Sequence, residues 1–158
     1  VSPVVVNKEH PLAGVEDVFN AIVVSGDAIG DAMFYGRGAG KLPTASAVVA
    51  DVIDIVKHNE STKTVWQRRD TDNMVPFGES VTGCLVRVAA RNKNEAAADI
   101  EKVFGRVEYV SADIKGIDDE LAFTTAKMTE SNLSERIGEL KSMRSIKEVV
   151  NVIRILEL

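Results

Sequence analysis

The sequence predicts an α+β chain of two unlike halves, and three observations carry that reading. Gly, Ala and Val dominate residues 1–58, whereas residues 81–158 alternate short apolar runs with charged helical stretches, and a polar stretch separates them. In the second half the elements run strand, helix, strand, strand, helix, strand over about 75 residues. That order is the split βαβ plan, a four-stranded antiparallel sheet with both helices on one face. At 158 residues the chain has the length of one ordinary domain or two small ones, and either buries a usable core.

Asn20–Ser25 and Ala32–Tyr35 are short apolar runs around Gly26-Asp27-Ala28-Ile29-Gly30, which predicts strand, turn and strand. Gly36-Arg37-Gly38-Ala39-Gly40-Lys41 is a glycine-rich loop, Leu42-Pro43 break it, and a helix is expected from Thr44. Ala45, Val48, Val49, Val52, Ile53 and Val56 then share one helical face, with Asp51, Asp54 and Lys57 on the other. Residues 59–80 read as a linker in which Trp66 is the exception, a large aromatic suited to anchoring on a neighbouring surface.

In the second half, Leu85–Ala89 is the first strand, and Glu95–Phe104 is a helix with Ala97, Ile100, Val103 and Phe104 inward, Asn94 at its N-cap and Gly105 closing it. Val107–Ala112 and Leu121–Thr129 are strands joined by the turn-rich Lys115-Gly116-Ile117-Asp118-Asp119. Ser131–Met143 is a second amphipathic helix through Leu133, Ile137, Leu140 and Met143, and Val149–Leu156 is the last strand. A sheet of this kind leaves its edges open to partners.

Composition excludes several classes. Hydrophobic residues at 45% and charged residues at 27% are ordinary for a globular chain, and apolar runs such as Ala21–Val24 fall far short of the roughly 20 residues of a membrane span. Nineteen basic residues interleave with 24 acidic ones for a net charge of −5, which argues against nucleic acid as a partner. A single cysteine, Cys84, cannot form an internal disulfide, and two histidines are too few for a histidine-rich metal site, so no metal is expected and the reading is reducing and cytoplasmic. The opening Val1-Ser2-Pro3 lacks an initiator Met, a basic n-region and an apolar h-region, and is expected to be the start of a fragment.

The glycine-rich loop running into a helix start is suited to an anion, because glycine lets the backbone approach and the first-turn N–H groups carry the positive end of the dipole. It matches neither the P-loop, which would need glycine at Tyr35 and a hydroxyl residue at Leu42, nor the dinucleotide fingerprint, which would need glycine at Lys41. A tight structural turn remains an equal reading of these residues. His10 reads as a packed or capping residue, Asp27 and Asp31 as solvated turn formers rather than a carboxylate pair, Arg68-Arg69 as a solvated pair, and Cys84 as a small buried residue. No complete catalytic constellation is present.

The ordered run His10-Pro11-Leu12-Ala13, Asn20-Ala21, Phe34-Tyr35-Gly36-Arg37-Gly38-Ala39-Gly40 and Pro43-Thr44-Ala45-Ser46-Ala47-Val48-Val49-Ala50-Asp51 closely resembles the end of the catalytic region of homoserine dehydrogenases. The second half resembles the ACT domain, a ferredoxin-like ligand-binding module that many of them carry. The resemblance implies the C-terminal portion of such an enzyme: a segment of the substrate domain at 1–58, a linker at 59–80 and an ACT domain at 81–158. It implies interconversion of aspartate 4-semialdehyde and homoserine with NAD or NADP, on the route to threonine and methionine. The family's dinucleotide fingerprint and catalytic lysines lie upstream, so no catalytic residue is assigned here and the piece alone is expected to be inactive.

What carries over is cofactor contact at Gly36, Gly38, Ala39 and Gly40. The ACT resemblance further implies an amino-acid effector, threonine, at the turn after the first strand, with Arg91, Asn92 and Asn94 as its contacts, in a homo-oligomer of two copies or more. At that turn the family pattern is Asp-x-Pro-Gly-like, whereas this chain reads Ala90-Arg91-Asn92-Lys93-Asn94-Glu95. An ordinary helix cap, a module that only dimerises, and a stand-alone anion-binding module stay open as alternatives.

Overall fold

The computed structural model describes residues 1–58, 74–111 and 119–156. Trp66, Arg68-Arg69, most of the expected linker, Ala112 and residues 115–118 of the expected hairpin connection lie outside the described residues. The chain is mixed α and β, with three α-helices among the described residues, and it divides into two compact units.

The first unit holds β2 (Phe19–Gly26), β3 (Gly30–Arg37) and α1 (Lys41–Lys57). β2 and β3 pair antiparallel from Phe19 opposite Arg37 to Gly26 opposite Gly30. The three-residue loop between them closes through Gly30, whose φ of 66° lies in the left-handed region that glycine occupies without a Cβ penalty. Helix α1 starts three residues before the expected Thr44. Pro43 does not break it, because it sits in the first turn, where a backbone N–H has no intrahelical partner to lose. The apolar face of α1 is intact but uncovered: Val48, Val49, Val52 and Val56 are all exposed.

The second unit is built on β4 (Val81–Ala90), the long central strand. It is followed by α2 (Lys93–Phe104), β5 (Glu108–Tyr109), β6 (Glu120–Thr124), β7 (Met128–Thr129), α3 (Glu130–Ser142) and β8 (Ile146–Leu156). The sheet order is β8, β4, β6, β5, with each neighbouring pair antiparallel. Val4–Val6, β1, extends this sheet by pairing parallel to β8, so the N-terminal residues group with the second half and not with residues 7–58. Nothing in a three-valine run announces which edge it joins.

Alternation along β4 turns Cys84, Val86, Val88 and Ala90 toward the helices, where they pack with Phe123 of β6, Ile100, Val103 and Phe104 of α2, and Leu133 and Leu140 of α3. Each large side chain removed from water here contributes roughly 1.5–3 kcal/mol. Phe104 and Phe123 meet edge to face at 5.4 Å. Inward positions on α2 are Ala96, Ile100, Val103 and Phe104, so Ala96 takes the place expected of Ala97. The expected single strand 121–129 is broken: Leu85 faces Thr124 but Thr82 faces Met128, which leaves one extra residue in the outer strand. This bulge is closed by Thr125, whose hydroxyl oxygen accepts from Cys84 N–H at 3.1 Å while its own N–H donates to Cys84 O at 2.9 Å. The bulge brings the Thr125 carbonyl to within 3.3 Å of where a Cβ on Gly83 would sit, which accounts for glycine there.

Candidate functional site

The glycine-rich turn between β3 and α1 is made of residues with different jobs. Gly36 and Arg37 belong to β3, paired with Asn20 and Phe19, so the loop proper is Gly38-Ala39-Gly40. Gly38 donates its N–H to Val18 O at 3.1 Å, and a Cβ on it would fall 1.6 Å from Asn20 Nδ2. Gly40 is the N-cap of α1 with φ of 120°, a conformation that L side chains rarely adopt, and its carbonyl accepts from Thr44 N–H at 3.2 Å. Gly36 has open space around its Cα and meets neither demand.

Beside this turn lies an open groove of about 730 Å³ lined by Val18, Arg37, Ala39, Gly40, Lys41 and Ser46, among others. Of the four residues expected to touch a cofactor, Ala39 and Gly40 line the groove, while Gly36 and Gly38 shape the backbone leading into it. Two cations that sequence reasoning did not assign, Arg37 and Lys41, also line it. Arg37 is held over the Phe19 ring, 5.2 Å from its centroid, and that ring stacks on Tyr35 at 4.9 Å and 8°. No acid occupies the first turn of α1, so its free N–H groups and both cations leave the groove electropositive. The Phe19–Arg37 register across the hairpin was the signal that could have found Arg37.

These residues suit the diphosphate of a dinucleotide: backbone donors, close backbone approach at glycine, and two cations. Among the described residues no group of three or more His, Cys, Asp or Glu is placed to hold a metal ion. No helix of the described residues is long and apolar enough to cross a membrane.

The second candidate, the turn from β4 into α2, is an N-cap whose identity corrects the sequence expectation. Asn92, not Asn94, caps α2: its Oδ1 accepts from Asn94 N–H at 3.0 Å and from Glu95 N–H at 3.3 Å, and its Nδ2 donates to Glu95 Oε1 at 3.3 Å. Asn94 is the second residue of the helix, contributing its N–H to that cap. Arg91 anchors the turn through its backbone, donating to the carbonyl of buried Ser145 at 2.7 Å, while the Ser145 hydroxyl donates to Asp99 at 2.5 Å. The first-turn N–H groups that an effector would grip are thus already used by a side chain of the turn itself.

The other singled-out residues take structural places. His10 Nδ1 accepts from Leu12 N–H at 3.0 Å and caps the short turn Pro11–Gly14, which leaves the proton on Nε2, buried and without a partner in the described structure. Asp31 accepts from Ser25 across the hairpin at 2.6 Å, with both side chains exposed. Cys84 is fully buried; burial, and secondarily the Glu130 carboxylate, push its thiol above the ordinary value, so it is a poor nucleophile. Arg154 forms a two-pronged ion pair with buried Glu130 at the start of α3, the second contact being 2.9 Å, and lies 5.0 Å from the Phe77 ring centroid. The hydrogen bond that Arg154 donates to the Glu130 carboxylate raises the Arg154 pKa.

The chain is 32% identical to a homoserine dehydrogenase of Synechocystis sp. across 99% of its own residues, and the family model for homoserine dehydrogenase matches residues 1–53. Over nearly its whole length the chain is similar to homoserine dehydrogenases. A Bacillus subtilis homoserine dehydrogenase is 27% identical over 98% of the chain. The crystal structure of a homoserine dehydrogenase from Thiobacillus denitrificans superposes with a TM-score of 0.77 at 26% identity, covering 99% of this chain and 38% of that one. The chain spans 39% and 38% of the two curated homoserine dehydrogenases, about two fifths of their length.

Proposed function

We propose that this chain is the C-terminal portion of a homoserine dehydrogenase, an oxidoreductase interconverting homoserine and aspartate 4-semialdehyde with NAD or NADP in threonine and methionine biosynthesis, in the cytoplasm. The observation that carries this reading is the electropositive groove at Gly38–Lys41 inside the segment that the family model matches. When bound, the nicotinamide nucleotide supplies the hydride. This chain's part is to hold the diphosphate: α1 N–H groups and Lys41 at the helix start, Arg37 from β3, and Gly40 keeping the backbone close. Residues 1–58 then complete a substrate domain, 59–80 link it, and residues 81–158 form an ACT-type, ferredoxin-like regulatory module with an amino-acid effector, threonine.

The test is nucleotide kinetics in the intact enzyme. Arg37→Ala and Lys41→Ala each raise KM for the nucleotide about tenfold while kcat changes less, as expected when binding to a diphosphate is lost without loss of chemistry. Unchanged KM in both variants contradicts the assignment.

A second reading is favoured by the Asn92 cap: with the first-turn donors of α2 already used, the second unit serves as a dimerisation module and binds no effector. Both readings expect a homo-oligomer. Threonine titration by calorimetry separates them, since heat supports the sensor and a silent titration of a stable dimer supports the second reading.

A further inference from the structure

Among the described residues no acid pairs with Arg37, whereas Arg87 is engaged by Glu120 and Arg154 by Glu130. What holds Arg37 is the face of the Phe19 ring, 5.2 Å from the guanidinium carbon to the ring centroid. The difference matters beside a groove suited to an anion. A carboxylate partner would fix the guanidinium but cancel its charge and occupy its N–H fork. An aromatic face fixes it and leaves both the charge and the donors available to a ligand.

Hairpin pairing builds this arrangement. Phe19 lies opposite Arg37 and Ala21 opposite Tyr35, so Tyr35 and Arg37, two residues apart on β3, share one face of the ribbon with Phe19. The Tyr35 ring stacks on Phe19 at 4.9 Å and 8°, taking one face of that ring, and Arg37 takes the other. Phe19 is half-buried while Tyr35 and Arg37 are exposed, so Phe19 is the fixed layer of the three. It does not itself line the groove, although its neighbour Val18 and its register partner Arg37 do.

We propose that Phe19 is a positioning residue for nucleotide binding: its ring, braced by Tyr35, holds the Arg37 guanidinium, charged and without an acid partner, at the groove that takes the diphosphate. A free arginine side chain loses rotamer freedom when it meets a ligand, and fixing it beforehand removes part of that loss. The attraction between an exposed cation and a ring is small beside an ion pair, so the effect on affinity is a few-fold one. The inference rests on the nucleotide reading of the groove and adds the residue that aims one of its two cations.

The experiment is nucleotide kinetics in the intact enzyme, with the charge distribution of the ring changed and its shape kept. Pentafluorophenylalanine incorporated at position 19 reverses the ring quadrupole, so the ring still stacks on Tyr35 but no longer attracts a cation. It is expected to raise nucleotide KM about threefold with kcat less affected, and Phe19→Leu to do the same. Phe19→Tyr, which keeps the ring face, is expected to hold KM at the parent value. In an Arg37→Ala background none of these replacements moves KM further, because the group they act through is gone. An equal rise in both backgrounds makes Phe19 a packing residue of the hairpin and overturns the proposal. Unchanged KM with the fluorinated ring, while Arg37→Ala raises it, also overturns the proposal; both results leave the nucleotide reading standing. Unchanged KM in Arg37→Ala overturns it as well, and unchanged KM in Lys41→Ala besides takes the nucleotide reading with it.

Discussion

Glu130 and Arg154 show how one residue pair ties several elements together. Glu130 sits 5% exposed at the first position of α3, pairs with Arg154 of β8, and donates its backbone N–H to Ser80 O at 3.0 Å. Removing one partner of such a pair leaves the other charge poorly solvated. Because Arg154 keeps a third of its side chain in water, the cost falls at the low end of the range for buried pairs. Glu130→Ala is expected to lower unfolding stability by about 3 kcal/mol, read from the urea midpoint, and the Glu130→Leu/Arg154→Met double variant to recover much of it. Equal destabilisation in both variants contradicts this account. The raised Arg154 pKa adds stability that is present below the unfolded arginine value and is lost only as pH climbs through the folded one, so the pair should be indifferent to pH near neutrality on the arginine side.

Among the elements, α2 and the β3–α1 turn offer contrasting tests. Asn92→Ala removes the acceptor for two N–H groups and is expected to cost about 1 kcal/mol in unfolding free energy, whereas Asn94→Ala, outside the cap, is expected to cost little. Equal costs would mean that the cap is misassigned. At the other turn, Gly40→Ala places a Cβ at φ of 120° and is expected to raise nucleotide KM in the intact enzyme, while Gly36→Ala, with open space around it, leaves KM unchanged. Helix periodicity made α2 and α3 legible because the apolar stripe is set by the same geometry that buries it, and it made α1 legible although the stripe there is exposed. Three features were not legible. Asn92 and Asn94 are both good caps, and only the backbone of the preceding residues decides between them. The bulge at Thr125 depends on a side chain replacing a ladder acceptor, and the pairing of Val4–Val6 with β8 depends on which sheet edge is open.

At the scale of the whole molecule the two units differ in how they are stabilised. The second unit has a continuous core from Cys84 to Ile146, whereas α1 has no buried residue and the hairpin β2–β3 exposes Ile22, Phe34 and Tyr35. A lone two-stranded hairpin is marginal in water, and apolar faces of this extent mark surfaces that function covers. The groove at Gly38–Lys41 was half legible: its glycines stand out in the sequence, but Arg37 joins it only through the hairpin register with Phe19. That the groove serves a nicotinamide nucleotide in homoserine chemistry is the central claim. Its most direct measurement is homoserine-dependent reduction of NAD or NADP, followed by nucleotide absorbance, in the intact polypeptide that carries this chain. The account predicts turnover that requires homoserine and is weakened through nucleotide KM in Arg37→Ala; absence of homoserine-dependent reduction with either nucleotide would contradict it.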